Sequence, residues 1–463
     1  ISILSTLITN GQFDAPRYND VVVRIIVWFI LLTGLVLGGG LYVGSGRSSG
    51  PAIVIHQPTD FIGRSATLEA TIDSTDGLLT GATATIEQNG VSHPLFSLAS
   101  QTEAQISQET ETRIRITRLL TRDIYPDLTP GPASIVVHAT QSILFGLQER
   151  DSTVRLDLEA RFDPPQLSVA SSFHYINHGG AELIVYRVTP ADAESGVRVG
   201  NRSFRGYPAT ATGIDSADET LRVALFALLH DQELDTPIRL YARDGAGNEA
   251  EASFDHRVFP QPFRRSRIAI SDSFLEQVVP EIVSRSDDFE TLPLPPDAGL
   301  LEQYLAINGG LRRLNSTRIQ ALATNTADTK LWMEPFRQLA DSQVESRFAD
   351  HRTYVYDGRD IDQQVHLGFD LAVTANVPIL AAASGRVAWA DYLGIYGNCV
   401  IVDHGLGLQS LYAHLSSIRV QVGDTVGPDS ELGRSGMTGL AGGDHLHFAT
   451  LLHGWPINPT EWW

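Results

Sequence analysis

The sequence has little of several residues that would reveal its class at once. Cys399 is the only cysteine among 463 residues, so no disulfide can form within the chain, and cysteine usage leaves the cellular compartment open. Basic residues are also scarce: 34 lysines and arginines face 54 acidic residues, which gives a formal net charge of −20. Such a charge repels a phosphate backbone, so we expect no nucleic-acid partner.

Long hydrophobic runs are scarce as well, with one clear exception near the N-terminus. Residues 25–43 carry no charge over 19 positions, and as a helix they would span about 28 Å, the thickness of a bilayer core. Arg17 and Arg24 precede this run, and Trp28 and Tyr42 lie near its ends. Basic residues on one side and aromatic residues at both ends are typical of a membrane helix with a cytoplasmic N-terminus.

We therefore predict a cytoplasmic tail over residues 1–20 and a single transmembrane anchor over residues 21–44, with the rest of the chain outside the membrane. A cleaved signal peptide is the alternative interpretation. The length of the run, and a following sequence without a small-x-small cleavage site, favour the retained anchor.

After the anchor, apolar and polar residues alternate with the period of half-buried strands. Examples are residues 66–73, 113–116 and 154–159. Prolines at 164–165 and again at 260 and 262 interrupt this pattern. We predict two β-sandwich domains, residues 50–163 and 164–260. The run YARDGAGN at 241–248 resembles the last strand and turn of bacterial immunoglobulin-like modules.

The period changes from strand to helix in the following segment. Phe274, Val278 and Val279 recur at helical spacing, and residues 317–339 show a similar pattern. We predict a helical connector over residues 264–350. It either separates two domains or covers an active site.

Six of the 14 histidines lie within residues 366–453, where the chain is strand-like and rich in glycine. His366 and Asp370 are four residues apart, which in a straight strand would separate them by about 13 Å. Gly368 lies between them and allows a bend. The sequence therefore predicts a turn that brings the imidazole and the carboxylate together.

His445 and His447 lie on one face of a predicted strand, about 7 Å apart, and can reach one pocket. His414 follows another alternating segment and could present a further imidazole there. A catalytic zinc is typically held by three protein ligands, such as two histidines and one carboxylate, and keeps a fourth position open. Such a zinc lowers the pKa of a bound water and polarises a carbonyl. The pattern predicts hydrolysis of an amide, without deciding which histidines bind the metal.

Residues 352–463 carry an ordered set of short motifs. They are HLGFD at 366–370, AASG at 382–385, YGN at 396–398, VDHG at 402–405, LYAHL at 411–415, VGD at 422–424, GMTG at 436–439 and HLHF at 445–448. This set resembles the motifs of the lysostaphin/LytM-type zinc metalloendopeptidases. Members of this family cleave peptide bonds in bacterial peptidoglycan. The resemblance covers about a quarter of the chain and implies a small antiparallel β-domain, which we place at residues 351–463.

The resemblance also implies roles for individual residues. His366, Asp370 and His447 would hold one zinc ion per domain, and His414 and His445 would be the catalytic residues beside the open position. Two other positions depart from the family pattern: Asp444 stands where proline is frequent, and Ala449 stands where glutamate is frequent. Neither is an expected ligand or catalytic imidazole.

We therefore predict a mainly β, multidomain chain with an N-terminal transmembrane helix, two immunoglobulin-like sandwiches, a helical connector and a C-terminal peptidase domain. It would be anchored in the bacterial inner (cytoplasmic) membrane, with its exported domains in the periplasm or cell envelope. There it would hydrolyse stem or cross-bridge peptides of peptidoglycan. Cell-envelope or division proteins are further expected partners.

Two alternatives to this function remain open. One is a non-catalytic LytM-domain regulator that binds the wall and activates other hydrolases. The other is a zinc peptidase for proteins, since a metal site recognises only the amide. The presence of all five predicted site residues favours an enzyme.

Some residues near the site are better explained by structure than by chemistry. We predict structural roles for His404 and His453, which lie beside glycine-rich turns, and for Cys399 in a buried strand. Tyr354 or Tyr356 could reach the reacting oxygen, and the sequence places neither ring.

Overall fold

The computed structural model describes residues 18–45, 49–100 and 104–463. The chain divides into two compact units, residues 1–162 and 163–463. The division lies where the sequence predicts the boundary between the two sandwiches. Strands make up most of the secondary structure in the described residues, which confirms the mainly β class.

The N-terminal run forms a single long helix, α1 (Tyr18–Ser45). Within it, Val22–Gly40 is long and apolar enough to cross a membrane, with a mean hydropathy of 2.3 and no buried residue. A helix with no buried residue is not the core helix of a soluble domain, which fits a membrane span; a signal sequence would have the same properties. Residues 1–17 of the predicted cytoplasmic tail lie outside the described residues.

The first unit contains a β-sandwich made of two sheets. Its strands are β1 (Ala52–Gln57), β2 (Phe61–Ile62), β3 (Ser65–Asp73), β4 (Leu78–Gln88), β5 (Val91–Ser97), β6 (Gln105–Gln108), β7 (Arg113–Thr121), β8 (Gly131–Ile143) and β9 (Gln148–Ala160). One sheet has the order β1-β3-β7-β6 and the other β2-β9-β8-β4-β5. Leu68 and Ile116 from the first sheet share a buried core with Ile86 and Ile135 from the second. The alternating pattern that predicted these strands reflects one inward and one outward face.

A second sandwich opens the second unit. Its strands are β10 (Gln166–Val169), β11 (His174–Asn177), β12 (Ala181–Thr189), β13 (Glu194–Val199), β14 (Arg202–Arg205), β15 (Tyr207–Pro208), β16 (Leu221–Ala227), β17 (Ile238–Arg243), β18 (Glu249–Ser253) and β19 (His256–Phe259). Two sheets, β10-β12-β16-β15 and β14-β13-β17-β18, face each other, and β11 pairs with β19. The immunoglobulin-like character of both sandwiches stays a prediction.

The second sandwich does not close its core on itself. Tyr186 and Phe226 of this sandwich belong to one buried apolar cluster with Phe348 and Phe369 of the C-terminal domain. Glu461 adds a polar contact, because its carboxylate accepts hydrogen bonds from Asn177 Nδ2 (2.8 Å) and from the backbone nitrogen of Ala181 (2.7 Å).

The predicted connector is only partly helical. It consists of β20 (Arg265–Ile270), α2 (Asp272–Arg285), α3 (Leu300–Ala306), a π-helical turn (Ile307–Leu311) and α4 (Arg312–Ala323). Ser271 caps α2 by accepting a hydrogen bond from the Phe274 backbone nitrogen. The helical prediction for residues 317–339 is wrong beyond Ala323.

Contacts with the C-terminal domain explain why the helix stops. After α4, backbone donors bond to neighbouring strands instead of to carbonyls one turn earlier. The nitrogen of Ala327 donates to the Asp403 carboxylate (2.8 Å), and the nitrogen of Leu331 donates to the His404 carbonyl (2.8 Å). These tertiary partners replace the hydrogen bonds of the predicted helix.

The C-terminal domain is built from strands β21 to β33. They are β21 (Gln343–Ser346), β22 (Asp350–Tyr356), β23 (Arg359–His366), β24 (Phe369–Ala372), β25 (Pro378–Leu380), β26 (Gly385–Tyr392), β27 (Asn398–Gly405), β28 (Leu408–Leu415), β29 (Ser417–Ile418), β30 (Thr425–Val426), β31 (Glu431–Arg434), β32 (His445–Leu452) and β33 (Trp455–Ile457). The main sheet has the order β21-β24-β32-β28-β27-β26-β30, with β33 beside β32. Strand β20 of the connector pairs in parallel with β22. The predicted boundary at residue 351 therefore lies between β20 and most of β22, which pair with each other. The limits of the domains stay predictions.

Candidate metal centre and active site

The register of the main sheet brings the predicted ligands together. Strand β32 lies between β24 and β28, with His447 directly opposite Asp370 on one side and Ala413 on the other. His366 ends β23, and the chain bends at Gly368 before it enters β24. The predicted bend is thus present, and it places His366 beside the Asp370–His447 pair.

Three atoms that could bind a metal ion lie at the corners of a nearly equilateral triangle. His366 Nε2 lies 2.9 Å from Asp370 Oδ1 and 3.0 Å from His447 Nδ1, and the last two atoms are 2.9 Å apart. Ligand atoms about 2.1 Å from a tetrahedral zinc are about 3.4 Å apart, so the triangle is within about half an ångström of that geometry. Two imidazoles and a carboxylate therefore fit a zinc ion with one open position.

Hydrogen bonds and burial present both imidazoles in the form that binds metal. His366 Nδ1 lies 3.1 Å from the Arg347 carbonyl, and because a carbonyl can only accept, Nδ1 carries the proton and Nε2 keeps its lone pair. Burial lowers the pKa of His447, which favours its neutral form. Neutral imidazoles are the ligands that zinc prefers.

Gly368 has a second role besides the bend. A Cβ atom at this position would lie 2.7 Å from His447 Nε2 and 2.6 Å from the Phe448 carbonyl oxygen. Any side chain there would push the His447 ring out of place. The glycine is required because the imidazole occupies the space beside it.

Arg352 is a residue of the site that sequence reasoning missed. Its Nη2 donates to Asp370 Oδ2 (2.9 Å) and to Ser346 Oγ (2.6 Å), so it holds the oxygen of Asp370 that faces away from the two histidines. Burial alone would raise the pKa of Asp370, but the surrounding histidines attract and hydrogen-bond its charged form and hold the pKa well below its usual range. Nothing in the sequence marks Arg352, because its partner lies 18 residues further along the chain.

The two predicted catalytic histidines lie beside the triangle. Their ring centres are 4.8 Å apart. His414 Nδ1 bonds to the Thr438 carbonyl (2.8 Å) and His445 Nδ1 bonds to the Gly443 carbonyl (2.8 Å), so in each ring Nδ1 carries a proton and Nε2 is left for contacts within the site. His445 Nε2 lies 3.6 Å from Asp370 Oδ1. Neither ring needs to bind the metal to reach a group bound there.

A left-handed backbone directs His414 towards the site. Its φ is +62°, which histidine tolerates better than most residues, and it interrupts the regular alternation of β28. Such conformations cost free energy and are frequent in functional sites. No residue pattern in the sequence indicates this conformation.

All five predicted site residues line one cavity of about 320 Å³, together with Tyr354 and Tyr396. Of the two tyrosines that the sequence could not place, Tyr354 is the one at the cavity. The hydroxyl of Tyr356 instead donates to Asp272 on α2 (2.7 Å). Residues of the connector form part of the cavity wall, so this segment belongs to the site.

The residues to which we assigned structural roles lie away from this cavity. His404 is fully buried, with Nδ1 on the Ser384 carbonyl and Nε2 on Ser410 Oγ. The ring of His453 stacks on Tyr207 of the second sandwich. Cys399 is buried, and burial raises the pKa of its thiol, as expected of a packing residue.

Comparison with known proteins identifies the C-terminal domain. The family model "Peptidase family M23" matches residues 364–459, which include all five predicted site residues. The upstream sandwiches and the connector lie outside this match.

Three curated relatives illustrate the range of activities found with this domain. The chain is 36% identical over 98 residues to the DD-carboxypeptidase/endopeptidase Mpg of Neisseria meningitidis serogroup B, covering 21% of this chain and 23% of that protein. It is 34% identical over 93 residues to the peptidoglycan DD-endopeptidase ShyA of Vibrio cholerae (20% and 22%). It is 35% identical over 95 residues to the murein hydrolase activator EnvC of Escherichia coli (20% and 23%). The matched region spans about a quarter of the length of these relatives.

Proposed function

Residues 364–459 form a Peptidase family M23 domain, and on that basis we propose that the chain is a membrane-anchored zinc endopeptidase that hydrolyses stem or cross-bridge peptides of peptidoglycan. The observation that carries the proposal is the convergence of His366 Nε2, Asp370 Oδ1 and His447 Nδ1 within 3.0 Å of one another. His414 and His445 stand beside them. The Mpg relative supports an endopeptidase activity, and the ShyA relative supports peptidoglycan as the substrate.

His366, Asp370 and His447 would hold one zinc ion. When bound, zinc supplies a Lewis acid that lowers the pKa of a water molecule and polarises the scissile carbonyl. Arg352 fixes the Asp370 carboxylate so that Oδ1 faces the two imidazoles. Burial of the three ligands keeps bulk water from competing with their lone pairs.

The remaining steps belong to the two other histidines. Amide hydrolysis needs a proton for the leaving nitrogen and a donor for the oxygen that becomes negative. His414 and His445 each present Nε2 to the cavity, because Nδ1 of each ring is bonded to a carbonyl. Once Nε2 has taken up a proton, it can pass that proton to the leaving nitrogen or donate a hydrogen bond to the oxygen. We assign these two tasks to this pair.

Helix α1 would anchor the enzyme in the inner membrane, with the described domains in the periplasm or cell envelope. Its length and hydropathy support the anchor. This placement would bring the domains to the wall and to cell-envelope or division proteins.

The test is mass spectrometry of purified muropeptides after incubation with the part of the chain that follows α1 and with zinc. Cleaved peptides are expected with the parent protein. His447→Ala should lose zinc and activity together, whereas His414→Ala and His445→Ala should keep zinc and lose on the order of 10²-fold in rate. His256→Ala, at an exposed position of the second sandwich, is the matched control and should be unchanged.

The EnvC relative supports a second candidate, a non-catalytic regulator of other wall hydrolases. The two functions make opposite predictions in the same assay. A regulator would leave purified muropeptides intact, with or without zinc, and would increase their cleavage only when another wall hydrolase is present. A zinc peptidase for proteins would cleave unrelated peptides as fast as muropeptides.

A further inference from the structure

The cavity at the metal centre has walls from two separate segments of the chain. The C-terminal domain contributes one part of the wall, and the connector contributes six residues, Ile268, Ala269, Ile270, Phe274, Tyr304 and Arg312. We propose that Arg312 and Tyr304 form a subsite that binds a carboxylate of the peptide substrate next to the scissile bond. This inference rests on the proposed function and adds a substrate contact from outside the matched domain.

Arg312, the first residue of α4, is held in place by Asn308 in the preceding π-helical turn. Its Nε donates to the Asn308 carbonyl (3.0 Å) and its Nη2 donates to Asn308 Oδ1 (2.6 Å). Asn308 is fully buried in the π-helical turn, and its Nδ2 donates to Asp362 Oδ2 (2.7 Å). These bonds fix the position of the guanidinium at the cavity, which is what a specific binding group needs.

The charges around the cavity leave Arg312 available to a ligand. Asp370 is the only carboxylate among the residues that line the cavity, and it pairs with Arg352. Arg312 has no acidic partner within 4 Å in the described part of the chain, and Asp362 accepts from Asn308 instead. A guanidinium offers paired donors that match the two oxygens of a carboxylate.

The overall charge of the protein is consistent with a local cation at the site. The chain carries a formal net charge of −20, so its field repels an acidic peptide at long range. A fixed cation inside the cavity would offset this repulsion where the peptide binds.

Tyr304 provides a second, independent indication of a ligand. Its side chain is fully buried and lines the cavity, and its hydroxyl has no hydrogen-bond partner among the residues that the structure describes. The ring packs edge-on against Phe274 and Tyr354, with centres 6.3 and 6.2 Å away. Burial raises the pKa of Tyr304, so the hydroxyl keeps its proton and can donate it to a carboxylate oxygen. A buried hydroxyl without a partner is costly, and a bound carboxylate would remove that cost.

The test uses the zinc-loaded chain and a synthetic stem peptide, with analogues in which one carboxylate at a time is replaced by a carboxamide. The parent should prefer the peptide in which the recognised carboxylate is free. Arg312→Gln should raise KM for that peptide on the order of tenfold or more and leave KM for the matching carboxamide unchanged. Arg312→Lys should lie between the parent and Arg312→Gln, because it keeps the charge and loses the paired donors.

Two further variants separate binding from folding. Tyr304→Phe removes only the hydroxyl, keeps the ring packing, and should reduce the same carboxylate preference by a smaller factor. Arg313→Gln removes the same charge at the next position, where the side chain is exposed, and should change nothing. Thermal unfolding of each variant shows whether the fold is kept.

The outcomes distinguish this inference from the proposed function. If the parent cleaves the peptides and Arg312→Gln has the same carboxylate preference as the parent, the subsite is wrong and the peptidase stands. If the parent cleaves nothing, titration calorimetry with the same peptide pairs measures whether binding depends on the carboxylate. Carboxylate-dependent binding that is lost in Arg312→Gln supports the subsite without hydrolysis, and binding that ignores the carboxylate overturns it.

Discussion

The two β-sandwiches are alike in sequence pattern and different in what they pack against. The first has its own buried core, in which Leu68 and Ile116 meet Ile86 and Ile135. The second shares one apolar cluster with the C-terminal domain, and Glu461 ties it to the end of the chain. Alternation of apolar and polar residues predicts a sandwich in both cases, but it does not predict whether another domain completes the core.

Two ion pairs, one from each unit, also differ in their exposure to solvent. In the first sandwich Arg113 and Asp73 pair at the surface, with 47% of the arginine side chain exposed. In the second unit Arg352 and Asp370 pair beside the candidate metal centre, with 19% of the arginine side chain exposed. Exposed pairs contribute little to stability, whereas a buried pair can fix the geometry of a site.

The largest expected effect comes from shortening the chain at two places. A chain that begins at Asp163 lacks the first sandwich and should fold, bind one zinc per molecule and keep its activity. A chain that begins at Val344 lacks β20, the helices and Phe336, so it loses partners of two buried clusters, and we expect it not to fold. Circular dichroism and zinc stoichiometry of both proteins check this.

The opposite result would change the role of the connector. If the chain that begins at Val344 folds, binds zinc and cleaves muropeptides faster than the longer one, the connector acts as a removable cover. Slower cleavage with a higher KM by a folded protein would fit a substrate contact from the connector.

The next effect compares the two ion pairs directly. Arg352→Gln should weaken zinc binding by about 10- to 100-fold, because Asp370 loses the donor that orients it. Arg113→Gln removes the same charge in the first sandwich and should leave zinc binding unchanged. Competition with a chelator measures both affinities, and equal affinities in the two variants would show that Asp370 is positioned without Arg352.

A smaller effect is expected at the contact between the second sandwich and the end of the chain. Glu461→Ala leaves Asn177 and the Ala181 nitrogen without their acceptor, which should lower the free energy of unfolding of the second unit by about 2 kcal/mol. Gln88→Ala breaks a comparable set of buried hydrogen bonds, to Thr129 and Pro132, inside the first sandwich. Calorimetry should show a different transition shifted by each variant; a single shared transition would contradict the division into two stability units.

The last expected effect is a pH dependence at the contact between His453 and the second sandwich, and it appears only as the pH is lowered. Burial, with a contribution from Arg205, lowers the pKa of His453 from 6.5 to about 4. Between pH 6.5 and 4 the unfolded chain therefore binds a proton that the folded chain does not, and stability falls as the pH falls, by up to about 1.4 kcal/mol per pH unit. His453→Asn suits the positive φ of this position (+50°) and should reduce that slope.

The control for this measurement is His56→Asn, at an exposed position of the first sandwich. It should leave the slope of stability against pH as it is in the parent. Chemical denaturation at several pH values between 4 and 7 gives the slopes, and an unchanged slope in His453→Asn would show that another group controls the acid response.

The sequence could predict the candidate site better than the architecture around it. His366, Asp370 and His447 lie within short motifs, and the family resemblance carried by those motifs implies that they act together; the structure brings them within 3.0 Å. Arg352 and Arg312 reach the cavity through tertiary packing, which no local pattern encodes. For the same reason the helix predicted to continue past Ala323 ends there, because its backbone finds partners in a sheet formed by distant residues. The metal-binding and catalytic roles of the site residues stay predictions.

The space beside Gly368 has a consequence for how relatives of this domain are read. A chain with alanine at this position would keep every histidine and the aspartate, and a search for those residues alone would count it as active. Yet the added methyl carbon would meet the His447 ring at 2.7 Å and move a ligand. Sorting such domains into hydrolases and inactive regulators therefore requires the glycine to be scored together with the metal ligands.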